Sequence, residues 1–76
     1  MKMNEFQKIY FNSIGEQIRS RRKELGITQP HLAEIAEVSV NTLYKIERGE
    51  ANPTLEVMYK LLNVLGLELH IGIRQF

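Results

Sequence analysis

Val40, Asn41, Tyr44 and Lys45 are the side chains of this sequence best suited to do chemistry. In a helical segment their spacings of three and four place them on one face. The Asn41 amide donates and accepts at once, which matches N6 and N7 of adenine. Lys45 can donate to O6 and N7 of guanine, and Val40 can meet a thymine methyl. Tyr44 can stack on a sugar or donate to a phosphate. This is chemistry of recognition, in which no bond is made or broken. The 76 residues include no cysteine, and the two histidines, His31 and His70, stand far apart. There is no glycine-rich phosphate loop, and the carboxylates have no histidine at a working spacing. An enzyme is therefore not expected, nor a metal or a cofactor.

The elements that must hold these side chains are written as caps and stops. Ser39 caps a helix running from Val40 to about Arg48, and Gly49 ends it. Leu43 and Ile46 point inward, and so does Glu47, one turn after Leu43. Upstream, Thr28 caps a helix from Gln29 to about Ala36, with Pro30 in the first turn, where its missing N–H is harmless. Its expected inward set is Leu32, Ile35 and Ala36, with Ala33 small enough for close approach. Glu37-Val38 makes the turn between the two. Leu25 to Gly49 thus encodes two short capped helices and a tight turn, the minimum apparatus for entering a major groove.

Two more helices complete the core. Ser13-Ile14-Gly15-Glu16 has the pattern of a capping box, so a helix is expected to start there and to end at Gly26. Its apolar stripe of Ile14, Ile18 and Leu25 includes Arg22, four residues after Ile18. An isolated ion in the interior forfeits its hydration, so Arg22 and Glu47 are expected to be each other's partner in a structural ion pair. After Asn52-Pro53, Thr54 caps a helix whose expected buried face is Leu55, Met58, Leu61, Leu62 and Leu65, up to Gly66. A short leading helix is expected within residues 4–11, where Phe6, Ile9 and Tyr10 follow Asn4 at helical spacing.

Beyond Gly66 the period changes to two. Leu67, Leu69, Ile71 and Ile73 alternate with Glu68, His70, Gly72 and Arg74, as in a strand with one apolar face. No other segment alternates this way, so the expected partner is the same strand of a second copy across a two-fold axis. The expected fold class is all-α: a bundle of four to five helices with a short C-terminal β-strand paired across a dimer. Residues 1–12 are an N-terminal extension, 13–66 the helical domain and 67–76 the dimerisation strand. A chain of this size buries only about 60% of its unfolded surface, which makes support from a second copy useful. The net charge is +1, but residues 1–26 hold six Lys/Arg against three Asp/Glu, concentrated in the stretch RSRRK. No apolar run reaches the roughly 18 residues of a membrane span, so no membrane contact and a cytoplasmic location are expected.

The combined pattern Arg22, Gly26-Ile27-Thr28-Gln29, Leu32-Ala33, Ala36-Glu37-Val38-Ser39, Leu43, Ile46-Glu47-Arg48-Gly49, Pro53 and Leu55 resembles the lambda-repressor and Cro-like helix-turn-helix domains, the XRE family. That resemblance implies a five-helix domain, a recognition helix at 40–48 and an ion pair at Arg22 and Glu47. It further implies base reading by Val40, Asn41, Tyr44 and Lys45. Phosphate contacts are implied for Gln29 at the start of the second helix, for Ser39 and Thr42 at the start of the third, for Asn52 in the loop and for Arg19. His31 departs from the pattern, where an acidic residue is common. The Gly-Leu-Glu-Leu tail resembles small HipB-like antitoxins, whose terminal strands pair across a dimer. The expected function is a sequence-specific regulator, a repressor that binds a palindromic operator in double-stranded DNA as a homodimer. The alternative is the antitoxin of a HipBA-like pair, neutralising a kinase-like toxin and repressing its own operon.

Overall fold

A computed structural model describes residues 2–74, which fold into four α-helices: α1 (Glu5–Glu24), α2 (Gln29–Ala36), α3 (Val40–Glu47) and α4 (Leu55–Leu65). Thr28, Ser39 and Thr54 cap the last three, each hydroxyl accepting the backbone N–H three residues on, from His31, Thr42 and Val57. Gly26, Gly49 and Gly66 take the left-handed conformation just beyond α1, α3 and α4, as expected of helix stops.

The expected start of the first helix at Ser13 is corrected, as is its separation from a leading helix. α1 is continuous through both segments. The capping box lies at Asn4, whose side chain accepts from the Gln7 N–H at 2.8 Å while Gln7 Oε1 accepts from the Asn4 N–H at 3.0 Å. No proline interrupts residues 5–13, and extending a helix costs far less than nucleating a new one. The Ser13 hydroxyl instead accepts from Gln17 Nε2 at 3.3 Å.

One core joins the helices: Ile18 of α1, Leu32, Ala33 and Ala36 of α2, Leu43 and Ile46 of α3, and Met58, Leu61 and Leu65 of α4. α1 packs on α3 and α4, and α2 packs on the same two. Val38, at the turn, is half-buried against the core. Ile35 is not inward but about half exposed, at 49%, because the two-turn α2 meets its neighbours through Leu32, Ala33 and Ala36. Leu25 and Leu55 are exposed as well, and Leu62 is only half-buried. Leu55 opens α4 and is 77% exposed.

Residues 67–74 carry no strand, and none forms elsewhere among the described residues. A lone extended segment has no ladder to satisfy its backbone groups, so an expected strand finds nothing to pair with inside one chain. Leu67 still packs against the core, and its N–H caps α4 by donating to Leu62 O at 2.9 Å. Leu69, Ile71 and Ile73 are exposed. Residues 75 and 76 of the expected strand lie outside the described residues.

Candidate nucleic-acid interface

α3 is held from its inner side by charge as well as by apolar packing. Arg22 Nε donates to Glu47 Oε2 at 2.7 Å and Arg22 Nη2 to Glu47 Oε1 at 2.9 Å, a bidentate pair with side-chain exposures of 10% and 1%. Arg22 Nη1 also donates to Ile27 O at 3.0 Å. Gln29 Nε2 donates to Glu47 Oε1 at 3.0 Å, so one carboxylate ties α1, α2 and α3 together. The hydrogen bond to Glu47, opposed by burial and helped by the nearby negative charge, raises the Arg22 pKa above its ordinary value. The guanidinium therefore stays charged. Close approach completes the joint: a methyl group on Gly15 would overlap the backbone oxygens of Ile46 and Glu47, so only glycine lets α1 cross α3 there.

With Leu43, Ile46 and Glu47 buried, α3 turns Val40, Asn41, Tyr44 and Lys45 to solvent. The four expected reading residues thus share one exposed face. At its C-terminal end Arg48 lies over the Tyr44 ring, 5.3 Å from the centroid, and Arg48 Nε donates to Glu50 Oε1 at 2.9 Å. That hydrogen bond is the first cause of a raised Arg48 pKa. The turn before α3 places Glu37 in the left-handed region at φ 58° and ψ 44°, a conformation that costs a non-glycine residue about 1–2 kcal/mol. Two short helices joined by so tight a turn, the second presenting a polar outer face and locked from within, form a structure able to enter a DNA groove.

The helix-turn-helix family profile matches residues 18–71. The chain belongs to this family. It is of the XRE type, a family of DNA-binding transcriptional regulators. An HTH-type transcriptional regulatory protein of Methanococcus maripaludis is 41% identical over 64 residues, which are 84% of this chain. The chain spans only 20% of that relative's length. An uncharacterized HTH-type transcriptional regulator of Haemophilus influenzae is 36% identical over 81 residues, covering 90% of this chain and 81% of that protein. Among solved structures, the restriction-modification controller protein C.AhdI from Aeromonas hydrophila is similar at a TM-score of 0.75 and 27% identity, over 79% of this chain and 91% of that one.

Around the helix-turn-helix, the residues expected to face phosphates are placed as follows. Gln29 is half-buried; because a carboxylate only accepts, its NH2 group faces Glu47, leaving Oε1 and one N–H to offer elsewhere. Ser39 Oγ donates to Thr42 Oγ1 at 2.7 Å and accepts the Thr42 N–H at 3.0 Å, which leaves the Thr42 hydroxyl its own hydrogen to donate. Asn52 is exposed in the loop before α4, and Arg19 is exposed on α1, one turn before Arg22. Of the other basic residues in this stretch, Arg21 is committed: its Nε donates to Leu65 O at 2.9 Å, capping the negative end of α4. Sequence reasoning missed this cap, the Gln29 bond to Glu47 and the Arg48 pairing with Glu50. The first two join residues 44 and 18 positions apart, and no local spacing signals them.

Proposed function

We propose that the chain is a sequence-specific transcriptional repressor that binds a palindromic operator as a homodimer, with α3 in the major groove. The observation that carries this reading is the division of α3: its inner face is locked through Glu47, while Val40, Asn41, Tyr44 and Lys45 stand together on the solvent side. Asn41 reads adenine, Lys45 reads guanine, Val40 meets a thymine methyl, and Tyr44 packs on the backbone. Arg19, Gln29, Ser39, Thr42 and Asn52 set the docking angle through phosphates and carry no sequence information.

Dimerisation is supported by the exposed row of Leu69, Ile71 and Ile73, which alternates with polar residues and continues from Leu67. Beside it runs a groove of about 540 Å³ lined by Leu55, Tyr59, Leu62, Leu67 and Leu69. Paired tails of two copies would satisfy the backbone of residues 67–74 and cover this apolar surface. The test is selection of bound sequences from a random DNA pool. The expected product is a two-fold site with half-site centres about 34–36 Å apart. An unenriched pool at low salt overturns the reading.

A second reading, the antitoxin of a toxin pair, is favoured by Phe6, Ile9 and Tyr10, an exposed stripe on α1 that touches the tail through Tyr10, whose hydroxyl accepts from Arg74 Nη2 at 3.0 Å. It requires a neighbouring reading frame for a kinase-like toxin and a stable complex of the two products. A protein that represses without such a neighbour excludes it.

A further inference from the structure

We infer that the first turns of α1, which lie outside the matched family region, form a second docking surface for the DNA backbone together with the end of α3. This rests on the DNA-binding reading above. A cleft of about 430 Å³ lies between these segments, lined by Lys2, Lys8, Asn12, Arg48, Gly49 and Glu50. It exists because α1 does not stop at residue 13: the Asn4 cap carries the helix back to Glu5. Gly49, for its part, has no side chain to push Asn12 away, and any Cβ there would overlap the Asn12 side chain.

The charge of the cleft is positive. Arg48 is paired with Glu50, whereas Lys2 and Lys8 are exposed and, among the described residues, neither forms an ion pair. Two ammonium groups on flexible stems suit the phosphates of a duplex, which present point charges and no base pattern. Arg48 makes the cleft continuous with the reading face, since the guanidinium that borders it also covers Tyr44. With α3 in the groove, the cleft holds the phosphates beyond the C-terminal end of the recognition helix. Lys2 and Lys8 add affinity there and no sequence preference.

The test uses the full chain, a DNA site selected by the parent protein and unrelated duplexes, over a range of salt. A Lys2→Gln/Lys8→Gln variant loses affinity for all sequences alike, and the plot of log K against log salt becomes shallower by about 2. Its deficit relative to the parent therefore grows about tenfold between 200 and 50 mM salt. Lys60→Gln, on α4, keeps the parental slope, and Lys2→Arg/Lys8→Arg keeps both slope and affinity. Lys2 and Lys8 are exposed, so the variants at these two positions melt with the parent. If the parent binds and the double glutamine variant shows an unchanged slope, or Lys60→Gln an equal loss, the cleft has no such role. If the parent selects no DNA, the DNA-binding reading falls and the cleft with it.

Discussion

Glu47 is the residue on which the geometry of the reading head turns. It accepts from Arg22 Nε, Arg22 Nη2 and Gln29 Nε2 while almost wholly buried, so Glu47→Ala removes the acceptor of all three and leaves the buried Arg22 guanidinium without its counter-charge. Breaking such a pair costs about 3–5 kcal/mol, against a total stability of about 5–15 kcal/mol for a small domain. A urea or thermal melt of Glu47→Ala should show a midpoint far below the parent's, and coincident melts contradict the role assigned to the pair. Because the Arg22 pKa is raised, the stability contributed by its proton is fully present below the ordinary arginine value and is lost as pH rises through the raised one. Asn41 makes the opposite prediction. It is exposed on the outer face, so Asn41→Ala leaves the melt unchanged but relaxes preference at one operator position by about 1–3 kcal/mol, read from binding to a panel of single-base variants.

Among the elements, α2, α3 and α4 were legible in the sequence because their boundaries are set locally. Thr28, Ser39 and Thr54 each bind an N–H three residues on, and Gly49 and Gly66 each end a helix within one residue of its last turn. The start of α1 was misread because Ser13 and Glu16 imitate a capping box, while the choice between two adjacent caps depends on the uninterrupted helix between them. Exposure of Ile35 and Leu55 was illegible for a different reason: periodicity shows which residues share a face, not how far the opposing element extends over it. The Arg22 and Glu47 pair was legible because a charge in an apolar stripe demands a partner, but the third member, Gln29, carries no charge to demand one. Gly15 belongs to this scale. Gly15→Ala forces α1 and α3 apart at Ile46 and Glu47, at a cost of about 1–3 kcal/mol in a denaturant titration. At the turn, Glu37→Gly removes the left-handed strain and raises stability by about 0.5–1 kcal/mol in the same titration.

For the whole molecule, the helical bundle and the tail make separable predictions. Ile71 and Ile73 are 95% and 96% exposed, so Ile71→Asp/Ile73→Asp leaves the fold of the single chain intact. In sedimentation the parent is expected as a dimer and this variant as a monomer, with binding to a palindromic site lost well before binding to a half-site. A parent that sediments as a monomer refutes pairing through the tail. The three-way tie at Glu47 has a consequence for how the target sequence can change. The tie is made wholly on the buried side of α3, whereas Val40, Asn41, Tyr44 and Lys45 stand in solvent, where exchanges typically alter stability by no more than about 0.5 kcal/mol. Under the proposed function, operator preference would drift stepwise, every intermediate remaining folded, so that a duplicated copy of this gene could acquire new targets without an unstable ancestor between the old specificity and the new.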